Sequence, residues 1–211
     1  MYIPPANRIE DLVKVRAFIE ANGFATVITT GEDGVPFASH LPVLLDVTPD
    51  GEVLRSHMAR SNEQWRHLAS GKEVLCIFHG PHAYISPSWY VSKIAVPTWN
   101  YAVVHAYGVP TVENDPAFMR AVLDDTTAKY EAGMPAPWTL NLPEPTVAGL
   151  MNAVVAFSIR VTRIEAKFKL GQNRSAEDQA SMLNALSTAP DSASRELAEF
   201  IRESASAVPV K

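Results

Sequence analysis

Apolar positions fall first at a helical spacing. Ile9, Leu12, Val13, Val15, Phe18 and Ile19 make a stripe through residues 9–22, the three-to-four-residue recurrence of an amphipathic helix, and Gly23 follows as a stop. The pattern then changes. Residues 24–30 are rich in β-branched side chains and read as a strand, ended by Glu32-Asp33-Gly34, whose glycine tolerates the positive φ of a hairpin turn. Residues 36–47 are a second strand, broken or bent at Pro42. Thr48-Pro49-Asp50-Gly51 turns the chain again and residues 52–58 are a third. Three strands joined by two tight turns form an antiparallel meander.

Ser61 with Gln64 three residues on has the form of a capping box, so a short helix is expected over 62–69, ended by Gly71. Residues 73–78 read as a buried strand, and 82–86 and 98–107 as two more around the loop 87–97. Asp115 caps, and Pro116 opens, a helix over 115–131. The proline-rich stretch 135–145 is irregular, 147–151 suits one helical turn, and 154–168 is a long strand. Ser175 with Asp178 opens a helix running to 186, and 194–204 is a last helix. About seven mostly antiparallel strands, with helices at the ends and in crossovers, indicate a mostly β (α+β) fold built on a closed or partly closed barrel. One domain over 1–211 is expected, with a helical C-terminal extension at about 175–205. No glycine-rich phosphate loop joins a strand to a helix, which excludes Rossmann and P-loop folds.

Composition narrows the class. The chain has 211 residues, 47% hydrophobic and 19% charged, enough to bury a full core without staples. A net charge of −5 argues against a nucleic-acid binder held by bulk charge. The distribution is uneven: Arg160, Arg163, Lys167, Lys169 and Arg174 are opposed locally by Glu165 alone, a run that reads as a solvated face or as an anion-binding patch. The longest apolar run, 147–159, is interrupted by Asn152 and Ser158 and is shorter than the ~20 residues a membrane-crossing helix needs. Met1-Tyr2-Ile3-Pro4-Pro5 lacks the pattern of a signal peptide. Cys76 is the only cysteine and lies in an apolar run, so no internal disulfide and a buried, unreactive thiol are expected. The expectation is a soluble cytoplasmic protein without membrane association.

Three stretches carry candidate chemistry. In Ser56-His57-Met58-Ala59-Arg60-Ser61-Asn62 a strand runs out into a helix start. Free N–H groups and an arginine fork there make a phosphate site, or simply a capped helix with a surface arginine. His79 to Tyr90 followed by Pro97-Thr98-Trp99-Asn100-Tyr101 gathers aromatic rings with hydroxyl and amide groups. That suits a flat conjugated ligand, or a core and subunit interface. Phe168-Lys169-Leu170-Gly171-Gln172-Asn173-Arg174-Ser175 ends a strand and opens a helix, with Lys169, Gln172 and Arg174 able to reach an anion. The six histidines all fall between residues 40 and 105. His79 and His82 are separated by Gly-Pro with no acidic partner nearby, so no metal site is expected. No Ser-His-Asp or Cys-His order stands out, and the catalytic residues stay unknown.

Together these blocks resemble the PaiB family of FMN-binding negative transcriptional regulators. The matching stretches are SHLPVLL (39–45), HMARSNEQW (57–65), IFHGPHAYISPSWY (77–90), VPTWNY (96–101) and KFKLGQNRS (167–175). The resemblance implies an FMN-binding split β-barrel, similar to pyridoxamine-phosphate oxidases and flavin reductases, that pairs as a homodimer with FMN in the groove between subunits. It implies that His57, Arg60, Ser61 and Asn62 hold the FMN phosphate and that His40, Leu41 and Pro42 border the isoalloxazine. It further implies that Ser88, Trp89, Thr98, Trp99 and Asn100 line the ring or ribityl side, partly from the second subunit, and that Lys169, Gln172 and Arg174 close the site. Two functions are compatible with this: a transcriptional regulator that contacts DNA, or a flavin-dependent oxidoreductase acting on a small molecule. Haem binding through a histidine is a third expectation, carried by the likeness to some split barrels alone.

Overall fold

A computed structural model of the chain describes residues 1–206; residues 207–211 of the expected domain lie outside them. A two-residue strand, β1 (Arg8–Ile9), precedes α1 (Leu12–Ala21). The meander comprises β2 (Phe24–Thr30), β3 (Pro36–Thr48) and β4 (Gly51–Ala59). Then come α2 (Gln64–Ala69), β5 (Val74–Ile85), β6 (Thr98–Glu113), α3 (Pro116–Glu131) and α4 (Glu144–Asn152). The long strand β7 (Val154–Lys169) and the helices α5 (Ala176–Ser187) and α6 (Ser192–Ser206) end the described chain. The sheet order is β1-β7-β4-β3-β2-β5-β6, and a further β7–β6 pairing closes β7 through β6 into a ring. This is the mostly β barrel with helices that the strand pattern implies.

Local chemistry explains most boundaries. Gly34 and Gly51 adopt φ of 77° and 120° in the two meander turns, a region that L side chains avoid. Asp33 Oδ1 accepts from Val35 N at 3.0 Å, and Thr48 Oγ1 donates to Gly51 O at 2.8 Å. Asp115 accepts from Ala117 N, and Ser175 from Asp178 N, as N-caps do.

Other boundaries differ from the sequence reading. The first helix starts later: Asp11 accepts from Val13 N at 2.9 Å, so Ile9 falls in β1, and Val13 faces outward while Val15, Phe18 and Ile19 are buried. Strands expected at 73–78 and 82–86 are one strand, β5, that passes through Gly80-Pro81. The ladder between β5 and β2 covers Leu75 to Ile77, so Pro81 interrupts none of it. β6 runs to Glu113 rather than 107, and the single turn expected at 147–151 is the nine-residue α4.

The chain divides into two compact units. The meander unit, Arg16–Phe78 with His105–Ile164, packs α2 against β2 and β3, and α3 against β3 and β4; Leu54, Met58, Leu68, Phe78 and Phe157 are among its buried side chains. The other unit comprises Met1–Val15, His79–Val104 and the chain from Glu165 on, and is called the helical unit below for α5 and α6. Its core joins Ala83, Ile85, Tyr90, Met182, Leu186, Leu197 and Ala198.

Gly108 marks the tightest strand approach in the meander unit. A Cβ there would stand 2.5 Å from both Arg160 O and Ile159 Cγ2. Gly108→Ala is therefore expected to destabilise the fold by ~1–3 kcal/mol, the cost of forced overpacking, read as a lower urea midpoint at unchanged slope. A midpoint equal to that of the parent would show that β7 yields at no cost.

Candidate functional site

In the meander unit, β3 and the end of β4 bring two of the motif blocks together. His40 pairs across from Thr26, and its Nδ1 lies 3.0 Å from Thr26 Oγ1; Leu41 and Pro42 continue the strand, half-buried. Asn62 Nδ2 donates to Ser39 Oγ at 2.8 Å, tying the turn after β4 to the residue preceding His40. Arg60 is held three times: its N donates to Ala153 O, its Nε to Asn152 O and its Nη2 to Val154 O, at 2.7–2.8 Å. The guanidinium is thereby fixed on two backbone carbonyls, with Nη1 left for other partners. His57 sits across from Ala156. Its buried Nδ1 has no hydrogen-bond partner among the described residues, and burial lowers its pKa from 6.5, favouring the neutral ring.

The expected Ser61–Gln64 capping box does not form. Ser61 is exposed, and the acceptor for Gln64 N is Asn62 Oδ1 at 3.1 Å. Gln64 itself is fully buried, and its Nε2 donates to Val27 O, Thr29 Oγ1 and Phe37 O at 2.9–3.2 Å. A glutamine placed to reach back to a cap serves here as a bolt into β2 and β3.

The helical unit holds the remaining motif residues. Ser88 lies in a tight turn, its Oγ 2.7 Å from Ser86 Oγ, and Trp89 packs partly buried on the core. Thr98 Oγ1 accepts from Lys169 Nζ, joining two blocks distant in sequence. Trp99 is 53% exposed, tilted over His82 at 6.3 Å and edge-on to Tyr84 at 6.1 Å. Beside it lies a cavity of about 370 Å³ lined by His79, Gly80, His82, Trp99, Tyr101, Ala102 and Val103. Asn100, the next residue, points the opposite way: it is 1% exposed and its Nδ2 lies 3.4 Å from Met182 Sδ. Gln172 spends its side chain on backbone, accepting from Leu170 N and donating to Ala6 O and Phe168 O. Arg174 stacks 4.5 Å from the centroid of the Tyr90 ring.

Three features are not visible in the sequence. Met182 looks like ordinary core at helical spacing from Leu186. Asp178 reads as a cap partner, but its carboxylate also accepts from Val91 N, Ser92 N and Ser92 Oγ at 2.7–3.0 Å. The meander unit also has a cavity of about 640 Å³ between the β2–β3 hairpin and α2, lined in part by Phe37, Arg66, His67 and Lys72; nothing in the sequence pairs the hairpin with that helix. Cys76 is buried in β5, which pushes its thiol up to about 12 and leaves it unreactive. Among the described residues, no three His, Cys, Asp or Glu side chains are grouped to hold a metal ion, and no helix is long and apolar enough to cross a membrane.

Solved structures share the fold. The flavocytochrome Anf3 from Azotobacter vinelandii superposes with a TM-score of 0.60 at 16% identity, over 82% of this chain and 74% of that one. The FAD and heme binding protein from Mycobacterium smegmatis does so with 0.60 at 17% identity, over 83% and 79%. The architecture is thus a split barrel of the type found in flavin-binding proteins. Residues 1–163 match the family model described as "Putative FMN-binding domain". Protease synthase and sporulation protein PAI 2 of Bacillus subtilis, a PaiB protein, is 35% identical over 206 residues, 96% of this chain and 97% of its own. The chain belongs to this family, as its motif blocks indicate.

Asp178 ties the loop after Tyr90 to α5. The N–H and hydroxyl of Ser92, then Val91 N and the charge of Arg174, lower its pKa from the ordinary 3.8. A carboxylate lowered in this way stabilises the fold at pH values above its unfolded pKa of about 3.9 and loses that contribution as pH falls through the folded value. Asp178→Ala should therefore lower the Tm at neutral pH and speed tryptic cleavage at exposed Lys93, and the Tm gap from the parent should close below about pH 4. A gap independent of pH would show that the charge of Asp178 contributes nothing.

Proposed function

We propose that the chain binds FMN and acts as a homodimeric regulator of the PaiB type. The observation that carries the FMN reading is the fixed guanidinium of Arg60. Phosphate recognition rewards a planar cation whose orientation is set before binding, and Nε and Nη2 are already spent on setting it. The buried, unpartnered Nδ1 of His57 is a second polar group on the same stretch of chain that a ligand would satisfy. Ser61 and Asn62 complete the phosphate end, and His40, Leu41 and Pro42 offer backbone groups to a ring edge. In the helical unit, the Trp99 cavity falls within the size range of small-molecule sites and has their aromatic character. Ser88, Trp89, Thr98, Lys169 and Arg174 stand in the same unit, whereas Asn100 and Gln172 contribute by holding it together. Bound FMN supplies the redox chemistry, and the chain's residues bind and orient it.

A second reading, a flavin-dependent oxidoreductase acting on a small molecule, is favoured by one observation. Four of the five cations in the run 160–174 are engaged locally, leaving Arg160 exposed: Lys167 is buried, Lys169 is bonded to Thr98, and Arg163 and Arg174 lie on tyrosine rings.

An absorbance and fluorescence titration with FMN tests the shared core of both readings. Arg60→Ala is expected to weaken binding by ~1.5–3 kcal/mol, as for a lost charged hydrogen bond, with Arg60→Lys intermediate because the fork is lost and the charge kept. Equal affinity in Arg60→Ala would remove Arg60 from the site, and no FMN binding by the parent would sink both readings. Sedimentation tests the dimer. Anaerobic NAD(P)H then separates the readings: flavin that stays oxidised, with sequence-selective DNA retention falling steeply with salt, supports the regulator. Bleaching with multiple turnovers supports the oxidoreductase.

A further inference from the structure

Three motif blocks of the helical unit meet at one methionine side chain. Met182 lies on the inner face of α5, 1% exposed. Its Sδ is 3.4 Å from Asn100 Nδ2 and 4.0 Å from the Tyr90 hydroxyl, both donors. Its Cε stands 3.1 Å from where a Cβ on Gly171 would be, and Gly171 holds a φ of 84° in the turn after Lys169. The blocks 87–90, 98–100 and 169–174 are thus joined through a residue that belongs to none of them.

The chemistry of the contact is specific. A thioether is a weak, polarisable acceptor that bonds at longer distances than oxygen does. A leucine would fill much of the same space and accept nothing, leaving a buried amide donor with one bond fewer. The consequences reach the surface through the strand period: with Asn100 drawn inward on β6, Trp99 faces outward, onto His82, Tyr84 and the cavity. The hydroxyl of Tyr90 is held at the same sulfur while its ring face carries Arg174.

We propose that Met182 is a positioning residue for flavin binding: its thioether holds Asn100 and Tyr90, and through them sets Trp99 and Arg174 as the ligand meets them. This rests on the FMN reading above.

The test uses the full chain with Met182→Leu, measured three ways. The urea midpoint reports the fold, hydrogen exchange of the Asn100 side-chain amide by NMR reports the contact, and an FMN titration reports the site. The expected result is a folded protein with faster Asn100 exchange and FMN affinity about five- to tenfold weaker, the scale of one neutral hydrogen bond. Combined with Asn100→Ala, Met182→Leu should add no further loss, because both remove the same contact. Unchanged exchange and affinity, or losses that add, would overturn the proposal. If the leucine variant fails to fold, Met182→Gln decides, since it keeps an acceptor at similar length. Affinity within about twofold of the parent, with Asn100 still protected, supports the proposal, and lost affinity in a folded, protected protein overturns it. Should the parent not bind FMN, the FMN reading fails, and the exchange measurement still reports whether Met182 holds Asn100.

Discussion

The meander unit is organised by an exchange of partners along β3. From Pro36 to Pro42 this strand pairs with β2, and from Val43 to Thr48 it pairs with β4. A proline suits the changeover, because its missing N–H is no loss where one ladder ends. The neighbouring groups are collected locally: Val43 N donates to Gly23 O at 2.8 Å, and Ser56 Oγ donates to Pro42 O at 2.6 Å. Gly23 also sits in a tight place, since a Cβ there would lie 3.0–3.1 Å from Lys129 Nζ, the Tyr130 hydroxyl and Val43 O. His40 lies just before the exchange, and Ser56, which secures it, directly precedes His57. The two histidines of the proposed site therefore flank this exchange of partners, one on each strand.

Beyond β4 the chain is placed by side chains rather than by secondary structure. A six-residue helix has little stability of its own, and α2 gains its place through Gln64. The amide of Gln64 reaches carbonyls on both β2 and β3, while its Oε1 stays buried without a partner among the described residues. An orphaned buried acceptor costs about 1–3 kcal/mol, so the three donor contacts have to outweigh it. With α2 fixed, Asn62 caps its first turn, and Trp65 Nε1 donates back to Arg60 O at 3.1 Å. Arg60 is thus gripped from the helix side through its carbonyl and from the α4–β7 junction through its N–H groups. The fixed orientation that the proposed phosphate role of Arg60 calls for comes from both.

Local signals carry much of this in the sequence. The caps at Asp115 and Ser175, the turn glycines 34 and 51, and β2 as residues 24–30 are legible because each is decided within a few residues. Pro42 is legible as a disturbance, since a proline inside an alternating run must sit at an edge or an exchange. Elements settled by distant chain are not legible in the same way. Gly80-Pro81 looks like a break until the partner of each segment is known. Ser61 has the spacing of a cap, but Asn62 has the better acceptor geometry once Ser39 holds its amide. Asn100 looks like a polar site residue, and only strand phase together with α5 shows that it faces a methionine. The motif likeness supplies the site candidates themselves, because no spacing rule groups residues 40, 60, 99 and 169.

The fate of the basic run bears on what such a protein recognises. In sequence, five cations close together suggest a face for polyanions. In the fold, Arg160 is exposed, Lys169 is bonded to Thr98, and three are placed against aromatic rings: Arg163 over Tyr107 at 3.6 Å, Lys167 near Tyr101 at 5.1 Å, and Arg174 over Tyr90 at 4.5 Å. Binding to duplex DNA gains from counterions released as free cations meet phosphates, and a cation already stacked or buried has to be withdrawn from its ring before it contributes. Aromatic contacts of this kind instead fix the direction of a charge, which suits recognition of one small anion more than a polymer. A regulator built on this chain would therefore draw less counterion release from Arg163, Lys167 and Arg174 than their spacing in the sequence suggests.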